Sequence, residues 1–343
     1  MFDNLKKLVD ADSISGYEES IQDVLTQMLK KHVDEIRTDK MGNVIARKGK
    51  GSPVVMFAAH MDEIGLIVKY IDKEGFIFFD KIGGWDERIL PTKKVLVHGT
   101  KGPVTGLVGS KPPHIQDKEE SKKPVKLKDM FIDIGAKNED DVKKAGISVG
   151  DFITRQGSVD RLLGERVTGR GFDNRVGCLV MTEIAKRSDK FKGTAYFVGT
   201  VKEEIGLIGV RGSAFSINPD VLVALDTSIA GDVPGISKPE VPLTIYDGPA
   251  LDIKDAMSII HPKVKKWVKE TAEKNKIKLQ FDVMSGGATD ASVTPTIREG
   301  IPSGALNVPV RYIHTPIEVA DMKTVEHTVK LGVKMLESAH KYF

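Results

Sequence analysis

Three apolar runs in this chain end on a histidine or a carboxylate, and that pattern limits the possible folds more than any other feature. Residues 53–59 (PVVMFAA) stop at His60, TAYFVGTV leads to Glu203 and Glu204, and DVLVAL leads to Asp226. A continuous apolar run without alternation suits a strand buried on both faces, as in a parallel sheet covered by helices. In open α/β sheets, binding sites form beyond the carboxyl ends of the strands. His60, Glu203, Glu204 and Asp226, remote in sequence, are therefore expected at one edge of a sheet.

Helical spacing surrounds these strands. Ile21, Val24, Leu25, Met28 and Leu29 place an amphipathic helix in residues 17–31. Asp173 reads as the N-cap of a helix with Val176, Leu179, Val180 and Ile184 on one face. LQFDVM and SGALNV read as further strands, and residues 255–274 and 321–343 as long helices. Between Gly65 and Asp160 the rhythm changes. LIVKYI, GFIFFD, KKVLVHG, GPVTGLVG, MFIDIG and SVGDFIT alternate with Gly and Pro turns, as in a small all-β unit. The organisation expected is an α/β unit of residues 1–65 and 160–343, interrupted by a β-rich insertion of residues 66–159. The charged stretch HIQDKEESKKPVKLKD inside the insertion is expected to be an exposed, mobile loop.

Composition excludes several classes. The net charge of +3, from 51 basic and 48 acidic residues, is a near balance and not the excess of a nucleic-acid binder. No apolar stretch has the length a membrane helix needs. The start, MFDNLKKLVDADS, reads as a first helix and not as a signal peptide. One cysteine, Cys178, allows no internal disulfide and suits a reducing cytoplasm; its apolar neighbours make it a core residue. P-loop, G-x-S-x-G and HExxH patterns are absent.

Five short motifs carry the chemistry: AAHMDEIG, GFDNR, KEEIG, ALD and RYIH. Singly each has a plain reading. His60 or His314 can be an ordinary hydrogen-bonded histidine, Asp173 an N-cap, Glu203 and Glu204 a solvated pair, and Asp226 a turn residue. Their shared placement after buried strands favours a joint role, because two histidines and three carboxylates suit divalent zinc or cobalt. Adjacent glutamates can divide the work, one ligating while the other accepts a proton from activated water. Asp62, two residues after His60 in an extended segment, can reach the other imidazole nitrogen and orient the ring.

These motifs, with GGATDAS and RYIHTPIE, resemble in order and spacing the tetrahedral (TET) aminopeptidases, a family of the co-catalytic zinc exopeptidase clan that includes glutamyl and deblocking aminopeptidases. The resemblance covers essentially the whole chain. It implies a mixed-sheet, three-layer α/β catalytic domain of zinc exopeptidase type carrying an inserted β-barrel-like domain. It also implies two divalent ions, zinc or cobalt, with Asp173 bridging, His60 and Asp226 on one, and Glu204 and His314 on the other. Glu203 would be the general base and Asp62 the residue that orients His60. Peptides would be trimmed at the N-terminus, inside a dodecamer built from dimers through the insertion. Where relatives often read Ala-Leu-Asp and Asp-Val-Thr, this chain has Gly171-Phe172-Asp173 and Asp226-Thr227-Ser228. Neither departure touches a proposed ligand.

For the substrate side chain, the resemblance points to the segment from Gly248 to Asp252. Glutamyl-selective relatives tend to carry lysine where this chain has Asp252, so the aspartate implies attraction of a basic residue. Asp252 could equally face solvent or pair with Lys254. Gly286, Gly287 and Asp290 lie in a Gly-rich turn able to approach a substrate, or to serve only as a strand–helix connection. Rival activities are a dimetal amidohydrolase acting on N-acyl amino acids, a non-catalytic peptide-binding shell, and a glycosidase; the last would have no need of His60 and His314.

Overall fold

Four apolar runs form the parallel centre of an eight-stranded sheet in the computed structural model, which describes residues 1–118 and 122–343. In spatial order these are Thr194–Thr200, Val54–His60, Val221–Ile229 and Ser303–Val310. Antiparallel strands Val44–Gly49 and Glu35–Thr38 extend one side. On the other side Ala250–Lys254 runs antiparallel to Ser303–Val310 and parallel to Gln280–Val283. The sheet is thus mixed.

Helices cover both faces, giving three layers. One face packs against Phe2–Val9, Glu19–Leu29, Phe172–Arg187, Pro262–Lys274 and Met322–Ser338. The Phe172–Arg187 helix is buried nearly all round, which marks it as central and not a surface helix. Gly177 lets it approach the sheet, because a Cβ there would run into the Leu225 carbonyl. The opposite face carries the shorter helices Ile208–Ile217 and Asp290–Val293 over Leu222, Ala224 and Ala305. Each buried Val, Leu, Ile or Phe side chain contributes about 1.5–3 kcal/mol.

Strand Val54–His60 leads directly into a closed six-stranded barrel, in the order Gly65–Ile71, Ile77–Ile82, Phe131–Asp133, Gly102–Gly109, Lys94–Gly99 and Phe152–Arg155. Its interior is a separate apolar cluster including Leu66, Phe79, Val97, Ile132 and Ile153. The charged stretch 114–129 includes residues 119–121, which lie outside those described; Leu127–Asp129 within it forms a short turn whose Leu127 N–H donates to Glu87. No helix among the described residues is long and apolar enough to cross a membrane.

Two helix expectations need correction. The helix expected over 255–274 begins only at Pro262, because the Asp255 carboxylate accepts the N–H groups of Met257 and Ser258 in a tight turn and His261 supplies the cap. Asp173 does not cap its helix. Its dihedrals are extended (φ −78°, ψ 102°), and Asn174 Oδ1 accepts the Gly177 N–H instead. The carboxylate of Asp173 is thereby released from a capping role.

Candidate metal centre

The carboxyl ends of the parallel strands bring the candidate residues together. His60 ends its strand in register with Thr200, three residues before Glu203, and Asp226 lies in register with Asn307 on the next strand. The loop after Ser303–Val310 carries His314. His60 Nε2 lies 3.1 Å from Asp173 Oδ1 and 3.5 Å from Asp226 Oδ1. His314 Nε2 lies 3.1 Å from Glu204 Oε1 and 3.5 Å from Asp173 Oδ2. Two clusters of three, with candidate ligand atoms within 4.8 Å of one another, therefore share Asp173, one oxygen facing each histidine. Two histidines and three carboxylates, with His60 and Asp226 buried and Asp173, Glu204 and His314 partly so, form a donor set that fits a pair of zinc- or cobalt-type cations.

The surrounding contacts fix these side chains. His314 Nδ1 lies 2.8 Å from the carbonyl of Gly84, in the segment after the barrel strand Ile77–Ile82, which leaves Nε2 for the cluster. His60 Nδ1 is nearest the main-chain oxygen of Asp62, at 3.1 Å, with the Asp62 carboxylate at 3.6 Å. That carboxylate is mainly engaged elsewhere: it accepts the N–H groups of Glu203 and Glu204 and the Ser15 hydroxyl. The Asp62 carboxylate thus holds the main chain of the paired glutamates, while its main-chain oxygen meets the imidazole. Behind the site, buried Glu63 is ringed by Arg155, Arg170 and Arg175, and Arg155 also donates to the carbonyl of Thr315.

Burial and crowding set the electrostatics. Burial lifts the Glu203 carboxyl well above its usual range, and Asp226 and Glu204 add repulsion against the opposing His60. Glu204 and Asp226 rise for the same first reason, burial. Burial would lower His314, yet Asp173 and Glu204 draw it up to about 11. Asp173 is held low by the two histidines despite its burial. Burying several carboxylates this close is costly unless positive charge accompanies them. Glu318, fully buried, is pushed up to about 8 by burial against the pull of Arg155. Backbone N–H donors aimed at both its oxygens are nonetheless the pattern of an ionised carboxylate.

One sheet face continues from Asp226 through Asn307 and Ala305 to Asp252 and Asp282, linked by strand register. Asp252 neither faces solvent nor pairs with Lys254, whose amine donates to the carbonyls of Asp255 and Met284. Asp252 Oδ1, Asp282 Oδ2 and Asn307 Oδ1 are buried without a hydrogen-bond donor. Burial, reinforced by Asp255 and Asp282, pushes Asp252 up to about 7. Asp290 takes a hydrogen bond from Thr200 at 2.5 Å, while its other oxygen has no partner. Thr289 and Ser292 form a capping box on the short helix, so the Gly-rich turn also starts that helix. No side chain fills the space beside Gly286, and Gly287 has φ 73°. Sequence reasoning missed Asp282, Asn307, Glu318 and Gly84. Glu318 could have been noticed at the end of RYIHTPIE; the other three acquire meaning only through pairing across strands or loops.

Comparison with known proteins agrees with this architecture. A lysyl aminopeptidase of Pyrococcus furiosus is 34% identical over 97% of this chain and 96% of its own. The structure of an aminopeptidase from the archaeon Desulfurococcus kamchatkensis superimposes with TM-score 0.94 at 39% identity, covering 98% of this chain and 94% of that one. The TET1 peptidase of Pyrococcus horikoshii, described as able to assemble into a tetrahedron or a large octahedral shell, gives TM-score 0.88 at 33% identity, covering 97% and 98%. With residues 42–331 matching its model, this chain belongs to the M42 glutamyl aminopeptidase family.

Proposed function

We propose that the protein is a two-cation aminopeptidase that removes single residues from peptide N-termini. The observation that carries this reading is the sharing of Asp173 between two histidine–carboxylate clusters. His60 and Asp226 would hold one cation, Glu204 and His314 the other, and Asp173 both, with zinc or cobalt as the class. Such cations, when bound, polarise a scissile carbonyl and acidify water. Glu203 takes the proton released by the attacking water and passes it to the departing amine. Its raised affinity for protons suits a base that must return what it takes. Asp62 keeps Glu203 and Glu204 in place through their N–H groups.

The test is removal and return of metal together with Glu203→Gln. Chelation should abolish activity and zinc or cobalt should restore it. Glu203→Gln should keep its metal while turnover falls by several orders of magnitude; full turnover in that variant sinks the assignment. Hydrolysis of N-acyl amino acids in preference to peptides would favour the amidohydrolase alternative.

The unpartnered buried acceptors of Asp252, Asp282 and Asn307, with Gly286, Gly287 and Asp290 in the adjoining turn, support a preference for lysine or arginine at the substrate N-terminus. The lysyl specificity named for the Pyrococcus furiosus relative points the same way. We further propose that residues 1–65 and 160–343 form the catalytic unit and that the insertion, residues 66–159, joins subunits into dimers and then a dodecamer in the cytoplasm. Replacing the insertion by a short linker and weighing the product by light scattering tests this, since a native-sized oligomer would remove the assembly role.

A further inference from the structure

We infer that Glu318 is a positioning residue of the metal centre, a single carboxylate that clamps the main chains of Asp173 and His314. The inference rests on the two-cation reading above. Glu318 is completely buried at the start of strand Glu318–Asp321 and in register with Gly169, close in sequence to Asp173. Its Oε2 accepts the Asp173 N–H at 3.1 Å and its Oε1 accepts the His314 N–H at 3.0 Å.

Neither N–H lies in regular structure. Asp173 interrupts the helix with extended dihedrals. His314 has φ 63° and its near neighbour Tyr312 φ 61°, both left-handed without being glycine. Such a residue persists only where its surroundings fix it. A buried N–H must also find an acceptor. Glu318 meets both needs and ties the residue shared by the two clusters to the histidine of one of them. The arrangement repeats around Asp62, whose carboxylate accepts the N–H groups of Glu203 and Glu204. Gly84 and Arg155 complete the hold on the His314 loop, one at the imidazole and one at the carbonyl of Thr315. Glu318 touches none of the cluster's side-chain donor atoms in these contacts, so its effect runs through the backbone.

Glu318→Gln separates positioning from simple packing. The amide keeps the size of the side chain and one acceptor, but turns an NH2 group toward the second N–H. Zn2+ or Co2+ added to metal-stripped protein gives the affinity of each site, Co2+ absorption reports their geometry, and the unfolding temperature of the stripped protein reports packing. The expected result is two cations per wild-type subunit and, in the variant, about 10–100-fold weaker binding of at least one, with an altered Co2+ spectrum. The stripped proteins should unfold within a few degrees of each other, and kcat should fall more than KM rises. If the amide variant does not fold, Glu318→Asp, with both oxygens drawn back by one methylene, should show the same loss of affinity. Unchanged affinities in the folded variant overturn the role of Glu318 alone. A wild-type protein that binds fewer than two cations overturns the two-cation reading and this inference with it.

Discussion

Replacing Asp252 with Asn should make the protein more stable and less selective at once. Asp252 is 5% exposed, one of its oxygens lacks a donor, and burial with two neighbouring carboxyls pushes it from 3.8 up to about 7. A rise of that size corresponds to at most about 4 kcal/mol of ionisation penalty. Water reaching the pocket reduces it, and we expect about 1–3 kcal/mol. The native carboxyl holds its proton to higher pH than the unfolded one does, so wild type loses stability as pH rises from about 4 to about 7. Asparagine does not titrate. Urea midpoints of metal-stripped protein should therefore show a gain for Asp252→Asn at pH 8 that shrinks at pH 5. The catalytic effect has the opposite sign. Losing one partner of a desolvated ammonium–carboxylate pair costs about 2–5 kcal/mol, so the preference for lysyl over leucyl substrates, as a ratio of kcat/KM, should drop about 10²-fold. Leucyl turnover should change little. An equal stability change at both pH values, with an unchanged substrate ratio, would refute the reasoning.

Three further outcomes follow from the same geometry. Stripping the cations should lower the thermal midpoint, because Asp226 and Glu204 lose their counter-charge; zinc at about 1,000 times its dissociation constant should return about 4 kcal/mol, and calorimetry with and without zinc measures it. Gly84→Ala would put a methyl carbon 3.3 Å from His314 Nδ1, so the imidazole must shift; activity should fall about 10-fold or more with secondary structure by circular dichroism unchanged. Asn174→Ala removes both the hydrogen bond to Gly177 and the one to the Leu225 carbonyl; urea unfolding should show a loss of about 1–3 kcal/mol.

Much of the fold was legible because its signals are local. The run ending at His60 announces a doubly buried strand by composition alone, and the short alternating runs after Gly65 announce a change of architecture. The helix at 255–274 was misplaced because Asp255 uses its carboxylate on its own turn, a choice that periodicity does not encode. For Asp173 the residue type was right for a cap, but the neighbouring Asn174 performs that task. Asp282 and Asn307 sit in ordinary strand sequences, and only register across three strands places them beside Asp252. Long-range pairing of that kind leaves no trace in a window of a dozen residues.

The buried carboxylates of this protein fall into two groups, and the division separates scaffold from site. Asp62, Glu63 and Glu318 take donors at both oxygens from backbone N–H groups, a hydroxyl or guanidinium groups, and Asp321 Oδ1 takes two backbone N–H groups. For Asp62 and Glu63 these donors outweigh desolvation and hold the carboxyl low, and each carboxylate of the group fixes the chain that donates to it. Asp252, Asp282 and Asp290 each keep an oxygen without a donor, and Asp226 receives its backbone bond only from the adjacent Thr227. The hydrogen bonds that folding does supply leave part of their burial uncompensated, so positive charge from outside the chain would stabilise their ionised forms. Two kinds of cation meet that requirement at different positions. Beside His60 and His314 the imidazoles complete a donor set that fits divalent metal. Around Asp252 the buried acceptors of Asp252, Asp282 and Asn307 lack donors, which suits an ammonium or guanidinium carried in on a substrate. The unpartnered acids follow one sheet face from Asp226 outward, so under the proposed function a basic N-terminal residue would neutralise them while its backbone lay toward the metal centre. Under that proposal substrate binding would relieve strain that folding left in place, and the carboxylates that weaken the empty protein would supply its selectivity.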